Sequence, residues 1–160
     1  MLKGRLTHGI VRLLDWGLGE SADDSPEHLR TGRRGEEDAY FYLRRCGYTI
    51  ISRNYRSPHY RGELDLVGWD GDVLCFVEVK TRTTRAVKPA EAAVDRDKQN
   101  ELRLMARDFM QHMAGPCQWR FDIVTIYYDH GFNRPSFELF QNAFSVAYNR
   151  GFAKRLARSY

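Results

Sequence analysis

Gly62-Glu63-Leu64-Asp65-Leu66-Val67-Gly68-Trp69 and Asp72-Val73-Leu74-Cys75-Phe76-Val77-Glu78-Val79-Lys80 flank the dipeptide Asp70-Gly71. Two β-branched and aromatic runs joined at Asp-Gly predict a β-hairpin. Side chains alternate faces along a strand, so Glu63 and Asp65 share one face, and Leu74, Phe76, Glu78 and Lys80 share one face of the partner. An apolar row thus runs straight into a carboxylate and an ammonium. Burying charge costs several kcal/mol unless it is paired or meets an ion. Two accounts are open: a Glu78–Lys80 ion pair closing a strand, or an active site.

The chemistry of such a site follows from its donors. Two or three carboxylates with no cysteine or histidine beside them make an all-oxygen set, suited to Mg²⁺ or Mn²⁺ rather than Zn²⁺. A lysine two residues from a metal-binding glutamate can orient water or offset charge growing on a phosphate. A glycosidase needs paired carboxylates but no lysine on the same strand. Metal-assisted phosphodiester hydrolysis is therefore the expected reaction.

Asp65, twelve intervening residues and Glu78-Val79-Lys80 resemble the D…(D/E)-x-K signature of the restriction-endonuclease-like, or PD-(D/E)xK, nuclease superfamily, with Leu64 in place of the usual proline. A longer set of matches resembles the bacterial YraN family of predicted endonucleases, distantly similar to archaeal Holliday-junction resolvases. It includes Gly35-Glu36, Asn54-Tyr55-Arg56, Gly62-Glu63-Leu64-Asp65-Leu66, Phe76-Val77-Glu78-Val79-Lys80, Lys98, Arg120-Phe121-Asp122 and Asn142-Ala143-Phe144. Val87-Lys88 departs from the aromatic–glycine pair expected before Pro89. The resemblance spans about residues 32 to 144. It implies an α/β domain with a mixed central sheet flanked by helices, and a Mg²⁺-dependent endonuclease acting on DNA, with branched or damaged structures as candidate substrates. Asp65, Glu78 and Glu36 would form the metal set and Lys80 the catalytic lysine. Glu63, Lys98 and Gln99 would stand behind them. Resolvases act as dimers, so a homodimer is an open partner. A nucleic-acid-binding or assembly module that keeps the fold without cutting is the alternative.

The chain of 160 residues is long enough for one domain with a proper core. Its formal charge is +4, and 20 of its 25 basic residues are arginine, the side chain best shaped for bidentate phosphate contact. Arg33, Arg34, Arg56, Arg61, Arg82 and Arg85 cluster around the acidic motif in sequence and are the candidate nucleic-acid contacts; solvated surface charges would read the same way. Cys46, Cys75 and Cys117 are odd in number and form no Cys-x-x-Cys pair. Their apolar contexts suggest reduced, buried thiols in a cytoplasmic protein.

Residues 1 to 30 read as an extension and linker. Leu6, Ile10 and Leu13 have helical spacing, but Arg5, Arg12 and Asp15 interrupt them. The stretch is too short and too charged for a signal peptide or a membrane span, and no membrane partner is expected. A helix is predicted from Glu27 to Arg45, stopped by Gly47, with Glu36, Ala39, Leu43 and Cys46 on one face. A first strand follows over Tyr48 to Tyr55, and a loop carrying His59 and Tyr60 leads into the hairpin. After a basic loop, a second helix is expected over about Ala90 to Met113, with Lys98 and Gln99 facing the sheet. Arg120 to Tyr128 and Ser136 to Phe140 read as the last strands, with Asp122 a structural partner for an arginine. The order is thus α-β-β-β-α-β plus an edge strand, in a domain over residues 31 to 144. Residues 145 to 160 form a basic tail. There is no internal repeat, Gly-rich phosphate loop or Ser–His–Asp spacing.

Overall fold

The computed structural model describes residues 27–83, 94–129 and 133–146. The expectations for residues 1 to 26, for the loop containing Arg85 and for most of the basic tail lie outside the described residues. Among the described residues, two helices flank one five-stranded sheet: α1 (Glu27–Arg45), β1 (Thr49–Tyr55), β2 (Leu64–Asp70), β3 (Val73–Arg82), α2 (Arg96–Gln111), β4 (Gln118–Tyr127) and β5 (Ser136–Phe144). The strands lie in sequence order. Every neighbouring pair is antiparallel except β3 and β4, which run parallel. A parallel pair needs a long crossover, and α2 supplies it. The mixed α/β sheet expected from the sequence is therefore present.

α1 begins at Glu27 and ends at Arg45, as predicted. Gly47 takes φ +95, its amide bonds to Arg44 O, and the Tyr48 amide reaches back to Leu43 O. This pair of bonds is a Schellman motif, and only glycine enters that conformation without a Cβ penalty. Tyr48 and Leu43 are then buried in the same apolar cluster.

The hairpin register shifts the expected turn by one position. Asp70 pairs with Val73, which leaves Gly71 and Asp72 as the two-residue loop, with Gly71 at φ +57. α2 begins later than expected, because Asp95 caps it: its carboxylate accepts the Lys98 amide at 2.8 Å, satisfying one of the orphan donors of a helix start. β5 runs on to Phe144, four residues past the expected end.

The sheet separates two apolar layers. Val67, Leu74, Phe76, Phe121 and Ile123 pack with Leu102, Met105 and Ala106 of α2. Leu66, Cys75, Val77, Val124 and Ile126 pack with Ala39 and Leu43 of α1. Cys46 breaks the expected stripe: it is exposed, while Cys75 is buried. It falls in the turn that closes α1, where the chain already leaves the sheet.

Candidate active site

The apolar row of the α2 layer ends where the charges begin. The last register pair of the hairpin is Leu66 with Val77, so Asp65 and Glu78 lie opposite each other one step further on. Both are buried, at 8% and 4% exposure. Like charges directly across a strand pair destabilise it, and nothing in the packing of the layer requires them.

Each carboxylate is partly anchored. Asp65 Oδ2 accepts the Val79 amide at 2.7 Å. Glu78 Oε1 accepts from Lys80 Nζ at 2.7 Å, so the ion pair left open by the sequence exists. The other oxygen, Glu78 Oε2, is buried and has no hydrogen-bond partner; Lys98 Nζ lies 3.8 Å from it. Burial drives the Asp65 pKa up to about 7, helped by the charge of Glu78 and, less, by that of Glu36, against the Val79 amide and Lys98. Burial also acts to lower the pKa of Lys98, but the surrounding Glu78, Glu101 and Asp65 carboxylates raise it overall.

Glu36 approaches from α1. Gly35 allows this, because a Cβ there would collide with Thr81 Oγ1 on β3. Glu36 Oε2 accepts from Asn54 Nδ2 at 2.6 Å, with Asn54 in the left-handed region at φ +49. Its contribution to Asp65 is through charge. Among the described residues, no three Asp, Glu, His or Cys side chains converge closely enough to form a complete metal cage. The expected three-acid set thus reduces to a close pair, Asp65 and Glu78, with Glu36 outside it.

The outer residues divide clearly. Lys98 joins the pair, as its position on α2 suggested. Gln99 does not: its amide donates to Val94 O and its carbonyl accepts from Arg103. Glu63 is held by Arg56, which donates twice at 2.8 and 3.0 Å, so both are spent on each other. Arg33, Arg34 and Arg61 are exposed, Arg34 Nε lying 3.9 Å from Asp38, and Arg82 stands half-buried at the end of β3.

Glu101 was not legible as a site residue. It lies one turn beyond Lys98 and accepts from Lys98 Nζ at 3.0 Å. Gly62, at φ +109, leaves the space that the Glu101 carboxylate fills. The i,i+3 Lys–Glu spacing was a signal, but it is shared by many surface helices.

A second charged cluster occupies the far, turn end of the sheet. Arg120 donates to Asp122 and Asp70, and Asp122, fully buried, also accepts from Tyr48 and the Asn142 amide. Every one of these groups has a partner, which marks a structural network, and Asp122 plays the role expected of it. A cleft of about 460 Å³ near the end of α1, lined by Tyr40, Arg44, Gly47, Tyr48, Thr49 and Ile50, contains no acid. No helix among the described residues is long and apolar enough to cross a membrane.

The family model described as "Uncharacterised protein family UPF0102" matches residues 35–126, a span that runs from Gly35 through both carboxylates to β4. A UPF0102 protein of Koribacter versatilis is 54% identical over 141 residues, covering 88% of this chain and 96% of its own length. One from Pseudomonas aeruginosa is 42% identical over 119 residues, covering 72% and 92%. One from Solibacter usitatus is 48% identical over 98 residues, covering 59% and 73%.

Proposed function

This chain belongs to the UPF0102 (YraN) family, and within it we propose that the protein is a metal-dependent endonuclease of the PD-(D/E)xK type, hydrolysing phosphodiester bonds in DNA. The observation that carries this proposal is Glu78 Oε2. It is a buried carboxylate oxygen without a hydrogen bond, facing a second buried carboxylate, Asp65. An apolar core does not keep such a pair for stability, because an unsatisfied buried polar group costs about 1–3 kcal/mol.

A divalent ion fits the donors. Mg²⁺ is ordinarily held by one or two carboxylates, with waters and substrate phosphate oxygens completing its shell. The absence of a full protein cage among the described residues is thus compatible with it, and Asp65 and Glu78 would hold it. Bound Mg²⁺ or Mn²⁺ supplies charge neutralisation on the phosphate and a coordinated water of lowered pKa.

The chain's own residues supply the rest. Lys80 is about one quarter exposed while Glu78 is almost closed off, so its ammonium borders the surface from which a phosphate would arrive. There it would orient the attacking water and offset the charge that grows on the phosphoryl oxygens. The Val79 amide fixes Asp65 so that the pair is preorganised. Glu36 would add negative potential from α1. Arg33, Arg34, Arg61 and Arg82 would meet the phosphodiester backbone, positioning the strand without reading its sequence.

One observation favours a rival reading. The 2.7 Å Lys80–Glu78 pair is what a nucleic-acid-binding or assembly module would keep if it had the fold and no chemistry. Purified protein tested with Mg²⁺ and Mn²⁺ on single-stranded, duplex, flap and four-way DNA separates the two. Cleavage that disappears in Asp65→Asn is expected; binding with no cleavage under either metal would leave the module.

A further inference from the structure

Lys98 stands between two acids, with its Nζ 3.0 Å from Glu101 Oε1 and 3.8 Å from the unpartnered Glu78 Oε2. Its side chain is about one quarter exposed and that of Glu101 about one third. Glu78 is almost closed off and its Oε1 accepts from Lys80, whereas Lys98 carries its charge on a partly exposed four-carbon stem that can move. The slot for Glu101 is made by the backbone: any side chain at Gly62 would collide with that carboxylate. The arrangement is a mobile cation between a fixed acid and an acid given its own recess.

We propose that Lys98, already held by Glu101, is a resident counter-cation of the carboxylate pair that is drawn wholly onto Glu101 when a divalent ion occupies Glu78 Oε2. The inference rests on the metal reading above and adds to it an assignment for Glu101, as the residue that receives and positions Lys98. In the metal-free protein the ammonium offsets the two buried acids. An arriving cation meets it as a like charge 3.8 Å from the oxygen it would occupy. Without Glu101 the ammonium would be drawn toward the carboxylate pair alone, so its repulsion of the metal would remain in full. The device costs affinity but keeps the site folded when empty.

The test is Mn²⁺ binding by calorimetry, together with thermal unfolding of the metal-free proteins, on wild type, Lys98→Met, Glu101→Gln and the double variant. Lys98→Met should bind Mn²⁺ at least ~10-fold more tightly, since a neighbouring unit charge at this distance has been removed, and should melt lower than wild type without metal. Glu101→Gln should bind more weakly. The hand-off makes one demand that simple electrostatics does not: Glu101→Gln must lose its effect when Lys98 is already methionine, because its influence passes through that lysine. An equal weakening in both backgrounds would overturn the hand-off while leaving the metal site intact. So would Lys98→Met binding no more tightly than wild type. No Mn²⁺ binding in any of the four proteins would instead remove the metal reading and this inference with it. Should Lys98→Met fail to fold, Lys98→Gln replaces it in the same cycle.

Discussion

The Val79 amide donates to Asp65 Oδ2 at 2.7 Å, which fixes in place the carboxylate that burial and a facing Glu78 most disfavour in its ionised form. With its pKa raised to about 7, well above the unfolded value near 3.8, Asp65 binds its proton more tightly in the folded protein. Its contribution to stability is therefore full below the unfolded pKa and is lost as pH rises through about 7. Metal-free wild type should lose on the order of 2–3 kcal/mol between pH 5 and pH 8 from this group. Asp65→Asn should flatten that loss and be the more stable protein at pH 8. Urea titrations at the two pH values check it, and an unchanged slope in the variant would mean that another group carries the dependence. Mn²⁺ at pH 8 should restore wild type alone.

At the opposite end of the sheet, Asp122 accepts from Arg120, Tyr48 and the Asn142 amide. Asn at this position keeps one acceptor oxygen and turns an amide donor toward groups that are themselves donors. Asp122→Asn should cost about 2–4 kcal/mol in urea unfolding and leave Mn²⁺ affinity unchanged. A matching loss of metal affinity in protein that remains folded would contradict a purely structural role.

Arg56 and Arg61 lie five residues apart but differ in their partners. Arg56 is neutralised by Glu63, while Arg61 is exposed. If the loop lies along a phosphate backbone, Arg61→Ala should weaken DNA binding across sequences and reduce the slope of log affinity against log salt by about 0.7–0.9. Arg56→Ala should change the slope less, because its charge is already offset. Fluorescence anisotropy across a salt series distinguishes them; equal slopes would mean that Glu63 does not attenuate Arg56.

These contrasts show what sequence could and could not convey. Alternation over Leu64 to Lys80 was enough to place Asp65, Glu78 and Lys80 on one face, because strand geometry is fixed by local sterics. α1 was legible from its Glu27–Arg45 periodicity and the Gly47 stop. Pairings that depend on distant backbone were not legible. Glu63 pairs with Arg56 rather than joining the acids, and Gln99 turns to Val94 and Arg103 because Asp95 sets where α2 begins. Glu101 is tied to the site by its i,i+3 pair with Lys98, a spacing too common to single it out, and by the room that Gly62 leaves for its carboxylate, a tertiary approach with no local pattern.

Lys80 decides between chemistry and architecture. Its ammonium donates to Glu78 Oε1 at 2.7 Å, and two outcomes of removing it differ in kind. A purely structural lysine, once lost, leaves Glu78 less compensated, so stability falls while any effect on DNA is unspecific. A catalytic lysine acts on charge that appears only in the transition state, so its loss lowers turnover far more than substrate affinity. Lys80→Ala should fold, bind DNA within a few-fold of wild type, and cleave at least about 10²-fold more slowly under single-turnover conditions with Mg²⁺. Lys80→Arg should rescue little, since a planar guanidinium does not fit the place of a compact ammonium beside a buried carboxylate. Cleavage by Lys80→Ala at the wild-type rate would leave the lysine as an ion-pair partner only, and the attacking water would have to be oriented by another group.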